Sequence, residues 1–319
     1  MLGIVEKPVG IEVRLVEYTE DGERLVAISS KVSLSSKQAE KLLDMGEEEV
    51  EVWIRETFRR MHFSPWEHST YTFLVDGLSR VASHQLVRHR HASYTQLSHR
   101  YSEGYLRRAA LKACRRLGLS CPEKPKEDPR GRREAYNKYA QALLRLQAEG
   151  GHSEVFEAAW EAFVIPPTMR DLDDVVREYI RGAGVYYSLL AQGVRREDAR
   201  YVLPHSLRTR IVVSMNAREL VQVFFPLRMC TKAQWEIRHV AWLMWRELSK
   251  VHPRLFRWAG PSCVFRENTS RQQPAPLRDY LDGREAFTIP RCPELVERPA
   301  IPACLKVAAR VEGGDGEFE

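Results

Sequence analysis

Gln85-Leu-Val-Arg-His-Arg-His-Ala-Ser-Tyr-Thr-Gln-Leu-Ser-His-Arg-Tyr101 contains three arginines, three histidines and no acidic residue. Cations at that density repel one another unless anions neutralise them. Apolar residues run directly into and out of the stretch, so it is not a solvated basic tail. An acid-free cluster embedded in a fold points to a pocket for phosphate groups. At this level the phosphates could belong to nucleic acid or to small molecules. Basic residues with interleaved aromatics suit a single-strand groove. Concentration of the charge in a core-linked segment favours enclosed anion sites.

Upstream of the stretch, Thr70–Val75 is rich in β-branched and aromatic residues and predicts a strand, ended by Asp76-Gly77. Leu78, Val81, Ala82 and Leu86 recur at helical spacing, which predicts a helix running into the basic stretch with Gln85, Arg88 and His89 on one face. Further upstream, Ile11–Glu17 alternates as a half-buried strand does, Leu25–Ile28 gives a second short strand, and Lys37–Arg60 holds one or two helices.

Downstream, residues 103–151 look like a charged helical insertion whose apolar content is too thin for a core of its own. Asp171–Gln192 is a strong amphipathic helix with Gly193 as its stop, and Leu207–Met215 is a strand. Asn216 is placed to cap the next helix, and Thr231-Lys-Ala-Gln234 has the form of a capping box before a long helix to Val251. The expected fold class is α/β (α+β): a small mixed or antiparallel sheet packed with long helices. Residues 1–260 are expected to form one domain with the insertion at about 103–151, and residues 261–319 a proline-rich, irregular extension.

The 319 residues are 44% hydrophobic, enough for a sizeable core, and the net charge of +6 with a pI near 9.0 suits anionic partners. The six cysteines form no CxxC and meet no histidine pair at zinc-finger spacing. With no secretory segment and no run long enough to span a bilayer, the chain reads as a cytoplasmic protein with reduced thiols and no membrane partner. The clustered histidines do not read as a metal site, because guanidiniums flank them and no carboxylate stands near in sequence.

Arg88-His-Arg, a seven-residue gap, then Ser98 and Arg100 resembles the signature of the flavin-dependent thymidylate synthases. Met61-His-Phe-Ser-Pro-Trp-Glu-His68, Ala199–Pro204, Asn216–Leu220, and Leu227-Arg228 through Glu236 resemble the family's other blocks, in the family's order. The resemblance implies a methyltransferase converting dUMP to dTMP, with 5,10-methylenetetrahydrofolate as carbon donor, FAD reduced by NADPH as hydride source, and no enzyme nucleophile. It implies a homotetramer with active sites shared between subunits, and no nucleic-acid partner. FAD would be held by Ser64, Arg88, His89, Arg90, Gln96, Asn216, Ala217, Arg218 and Gln222. The nucleotide would lie among Gln85, Leu86, Val87, Arg88, Gln96, Leu97, Ser98, His99, Arg100, Arg200 and Arg228. Arg228 would assist ionisation at uracil N3, and His62 would stand near the flavin ring.

Two departures from the family pattern bear on this. Gln96 stands where an acidic residue is usual. One extra residue lies between Asn216 and Arg228, and Pro226 falls inside the expected helix, so a bulge or kink is expected near Gln222, with Val223 the competing FAD contact. The alternative from another class is an RNA- or DNA-binding protein that uses Arg88–Arg100 on a polymer.

Overall fold

The structure, a computed structural model, describes residues 10–32, 40 and 43–310. Four strands form an antiparallel sheet: β1 (Glu12–Tyr18), β2 (Thr70–Ser79), β3 (Ala92–Gln96) and β4 (Arg208–Asn216), in the order β1-β2-β4-β3. Helices account for most of the remainder, as the α+β expectation requires. β1 and β2 pair with Glu12 opposite Asp76 and Tyr18 opposite Tyr71, with a register slip between Leu15 and Glu17. Alternate residues of β2 (Tyr71, Phe73 and Val75) are fully buried, the period-two pattern that marks its core face. The described residues divide into two compact units, one drawn from those up to 76, 84–95 and from 211 onward, the other from 77–83 and 96–210.

In the first unit, helix Trp235–Val251 packs on β1. Phe58, Phe63, Trp66, Trp258 and Phe265 form an aromatic cluster that anchors the 3-10 turn Ser64–His68. Several sequence expectations are corrected here. Leu25–Ile28 is not a strand but part of helix Gly22–Val32, because Val26, Ala27 and Ser30 recur at helical spacing and face the interior. Ala39 and Leu42 of the expected 37–60 helices lie outside the described residues; Glu47–Arg59 is a helix. The cap of Trp235–Val251 is Gln234 and not Thr231: the Gln234 Oε1 accepts the Glu236 and Ile237 N–H groups, while the Thr231 hydroxyl lies 3.2 Å from Cys304 Sγ. The extension after 260 is not irregular. It forms helices Ser262–Ser270, Leu277–Asp282 and Ile301–Ala308, tied by the buried Glu267 carboxylate, which accepts the Thr288 and Ile289 N–H groups at 2.8 and 3.0 Å.

In the second unit, helices Gly104–Arg116, Pro129–Glu149, His152–Ala162 and Asp173–Ala191 share one core. The apolar content that looked thin in sequence is supplied by alanine and tyrosine. Ala109, Ala110, Ala113, Ala142 and Ala183 allow close helix approach, and Tyr136, Tyr139, Tyr186 and Tyr187 fill the remaining volume. A side chain at Gly184 would come within 2.8 Å of Leu144. Gly193 ends the long helix as expected. It takes φ +95°, its N–H bonds the Leu190 carbonyl, and the Val194 N–H bonds that of Leu189. The expectation of reduced thiols fails at one pair: Cys114 and Cys121 form a disulfide, S–S 2.05 Å, which was invisible to a search for CxxC spacing.

Candidate active site

The basic stretch is not the helical continuation its spacing suggested. β2 continues through Gly77, which takes φ +84°, as far as Ser79; the following helix covers only Arg80–Leu86. Arg88 and His89 then lie in a turn, with their N–H groups bonded to the Gln85 and Leu86 carbonyls. The Tyr94 hydroxyl holds this turn by donating to the Leu86 and His89 carbonyls at 2.9 and 2.7 Å. The turn separates its side chains: His89 is buried, whereas Arg88, Arg90 and His91 are exposed. The Arg88 and Arg90 guanidiniums have no ion-pair or hydrogen-bond partner among the described residues.

His89 stands at the centre of a short polar chain. Its Nδ1 lies 3.1 Å from Glu219 Oε1, and Arg228 Nε donates to its Nε2 at 3.0 Å. His89 is 4% exposed and Glu219 5%. A carboxylate near these histidines was not visible in the local sequence. It comes from Glu219, 130 residues away, and its only signal was its place directly after Asn216-Ala-Arg218. Arg228 Nη2 also approaches the Gln85 carbonyl, at 3.5 Å. Burial lowers the Arg228 pKa from its ordinary value, and no carboxylate contributes to that shift.

Asn216 ends β4 and caps the next helix, its Oδ1 accepting the Glu219 N–H at 2.8 Å. The helix then widens. Glu219–Phe224 is a π-turn closed by the bond from the Phe225 N–H to the Leu220 carbonyl. This is the irregularity expected from the extra residue. Pro226, which has no N–H to give, stands one residue beyond the last wide bond. The widened turn brings Gln222 and Val223 together onto a cavity of about 260 Å³, whose other walls are Glu67, His91, Asn216, Arg218 and Glu219. Both candidate registers therefore face the same space. Arg218 Nε donates to Gln222 Oε1 at 3.1 Å, and its Nη1 pairs with Glu67. Glu67 is thus a wall residue of the cavity. Ala217 is buried, with its N–H on the Ser69 carbonyl. His62 and Ser64 are exposed, and neither lines this cavity.

The other half of the basic stretch belongs to the second unit. The Leu97 N–H bonds the Arg210 carbonyl at 2.8 Å, and the Gln96 amide reaches Thr209 Oγ1 at 3.3 Å. Ser98 opens a turn: its carbonyl accepts from Tyr101 and Ser102, and its hydroxyl oxygen accepts the Arg100 N–H at 3.3 Å. Arg100 pairs with Glu197 at 3.1 Å, and Arg200 Nε donates to the Glu197 carbonyl. His99 is buried, and desolvation with the charges of Arg80 and Arg200 pushes its pKa down to about 4. Burial also lowers Arg80, helped by the Arg200 charge. Like charges converging in this way favour an anion over a further cation. Arg80 was missed in sequence because it stands ahead of the basic stretch, in what read as an ordinary amphipathic helix.

The remaining thiols lie away from the cavity at Asn216–Val223. Cys230, Cys263, Cys292 and Cys304 line a separate, largely apolar cavity, and burial raises the Cys230 and Cys263 pKa values, the reverse of what an active thiolate needs.

The family model described as thymidylate synthase complementing protein matches residues 14–254, and the chain belongs to that family. The resemblance carried by the sequence blocks is thereby borne out. The chain is 70% identical over 315 residues to the flavin-dependent thymidylate synthase of Aeropyrum pernix, covering 97% of each chain. It is 40% identical over 304 residues to the enzyme of the same name from Sulfolobus acidocaldarius, covering 94% of this chain and 96% of that one. Among solved structures it resembles the flavin-dependent thymidylate synthase of Helicobacter pylori complexed with FAD and dUMP. The TM-score is 0.56 and the identity 23%, over 78% of this chain and 99% of the other, a likeness of fold.

Proposed function

We propose that this protein is a flavin-dependent methyltransferase that converts dUMP to dTMP. The observation that carries the reading is the family match together with the chemistry the fold assembles: exposed Arg88 and Arg90 side chains, the cavity at Asn216–Val223, and the group Arg80–His99–Arg200. Methylenetetrahydrofolate as carbon donor, NADPH as reductant, a cytoplasmic setting and a homotetramer with shared sites belong to the same proposal.

The residues present fit FAD. Two guanidiniums without protein partners suit its phosphates, and the cavity has amide, guanidinium and apolar walls. Bound there, FAD supplies the hydride that completes the methyl group. Arg88, His89, Arg90, Asn216, Ala217, Arg218 and either Gln222 or Val223 would hold it, with Ser64, His62 and Gln96 at its margin. Gln85, Leu86, Val87 and Leu97 would frame the nucleotide. Ser98, His99, Arg100 and Arg200, joined by Arg80, would take its phosphate. Arg228 would face the uracil ring, where a fixed cation stabilises the negative charge that develops on N3 ionisation. Holding and polarising the ring replaces covalent attachment, and raised thiol pKa values are consistent with that.

Purified protein should be yellow, with flavin absorbance, and should release tritium from dUMP labelled at C5 in the presence of folate and NADPH. Colourless protein that takes up no flavin but binds oligonucleotides tightly and salt-sensitively would replace this reading with the nucleic-acid one.

A further inference from the structure

We propose that Glu219 is a positioning residue for Arg228, acting through the tautomer of His89; the proposal rests on the reading of Arg228 as the uracil-facing cation. The argument begins with the proton inventory. The Arg228 guanidinium has only donors, so the His89 Nε2 it contacts at 3.0 Å must offer a lone pair. His89 is then the neutral tautomer with its proton on Nδ1, and that proton points at Glu219 Oε1, 3.1 Å away. Glu219 accepts and cannot donate while ionised, so it selects the one tautomer that can receive Arg228. The opposite tautomer would aim an N–H at the guanidinium.

The chain is built rigidly. Phe224 meets the imidazole edge-on at 4.9 Å, and the Tyr94 hydroxyl fixes the backbone on either side of the turn. The Glu219 N–H is itself tied to Asn216. Anchoring Arg228 through Nε leaves the outer end of the guanidinium for a ligand, with Nη2 only grazing the Gln85 carbonyl. A flexible four-bond side chain thereby acquires one orientation without an acidic residue touching it. A direct carboxylate contact would neutralise the charge that the ring needs. The intervening imidazole avoids this.

The test compares Glu219→Ala and Glu219→Gln in the full-length holoenzyme. Alanine removes the acceptor, whereas glutamine keeps an oxygen that can accept the Nδ1–H. Assayed with FAD in saturating excess, because Glu219 also lines the cavity proposed for the flavin, the alanine variant is expected to lose kcat for dTMP formation by about tenfold to a hundredfold, the range typical of groups that orient a functional side chain. The KM for dUMP should move much less, and glutamine should restore kcat to within a few-fold of the parent. Parental kcat in the alanine variant would overturn the proposal, as would a glutamine variant no better than alanine. If alanine prevents folding, Glu219→Met keeps the volume and takes its place. Failure of the parent to make dTMP would be a failure of the functional reading, visible before any variant is made. A crystal structure of the alanine variant then decides the positioning claim alone: an Arg228 still bonded through Nε to His89 Nε2 overturns it, and a guanidinium swung away supports it.

Discussion

Asn216 Oδ1 accepts the backbone N–H of Glu219 at 2.8 Å, joining the end of β4 to the helix whose first turns form most of the cavity proposed for the flavin. Strand, cap and widened turn follow one another without a loop. Residues 216, 218, 219, 222 and 223 therefore inherit their positions from the sheet, which is the rigid support a binding site needs.

If that cap sets the cavity, Asn216→Ala should cost about 1 kcal/mol of stability. It should also weaken flavin retention, because Arg218 and Gln222 move with the helix start. Asn216→Asp keeps an oxygen acceptor at the cap and should restore the stability. Thermal denaturation and flavin content of the purified variants check both statements.

Arg228→Ala should reduce dTMP formation by about a hundredfold to a thousandfold, the usual cost of removing a transition-state charge stabiliser, with FAD still bound. Arg228→Lys should be nearly as impaired despite keeping a cation, since lysine has no Nε to donate to His89. Steady-state kinetics alongside flavin absorbance separate the two effects. Loss of flavin from either variant would displace Arg228 from the uracil ring.

Much of this site was legible in the sequence because its chemistry is local. Arg88 to Arg100 and Asn216 to Arg228 each carry several functional groups within a few residues, and an extra residue before Pro226 announced the irregular turn. What was hidden came from long-range pairing. Glu219 on His89, Arg80 beside His99, and Glu67 on Arg218 are each brought together by the fold, and no local spacing encodes them. Helical spacing also misled at Leu78–His89, where a glycine with positive φ allowed β2 to run on and delayed the helix. The four-helix core was underestimated for a different reason: alanine and tyrosine score weakly as apolar residues yet pack closely.

The Cys114–Cys121 disulfide fixes the end of helix Gly104–Arg116 to the loop that follows it. Titration of the denatured, unreduced protein should give four thiols per chain, rising to six after reduction. Closing so short a loop is worth about 2–3 kcal/mol in the chain-entropy account. Cys114→Ser should lower stability by about that amount, and adding reductant should lower the parent equally while leaving the serine variant unchanged.

His99 gives the second unit a definite pH dependence. Its folded-state pKa lies near 4, below the ordinary histidine value of 6.5, through burial and the Arg80 and Arg200 charges. Between those values the unfolded chain binds the proton and the folded chain does not, so stability rises with pH across that window. The contribution is fully present above pH 6.5 and is lost progressively as the pH falls towards 4, the total loss reaching about 3 kcal/mol. His99→Gln removes the titrating group. Its unfolding free energy, measured in denaturant at a series of pH values, should therefore vary less between pH 4 and 6.5 than that of the parent. An equally steep slope in both proteins would assign the dependence to another group.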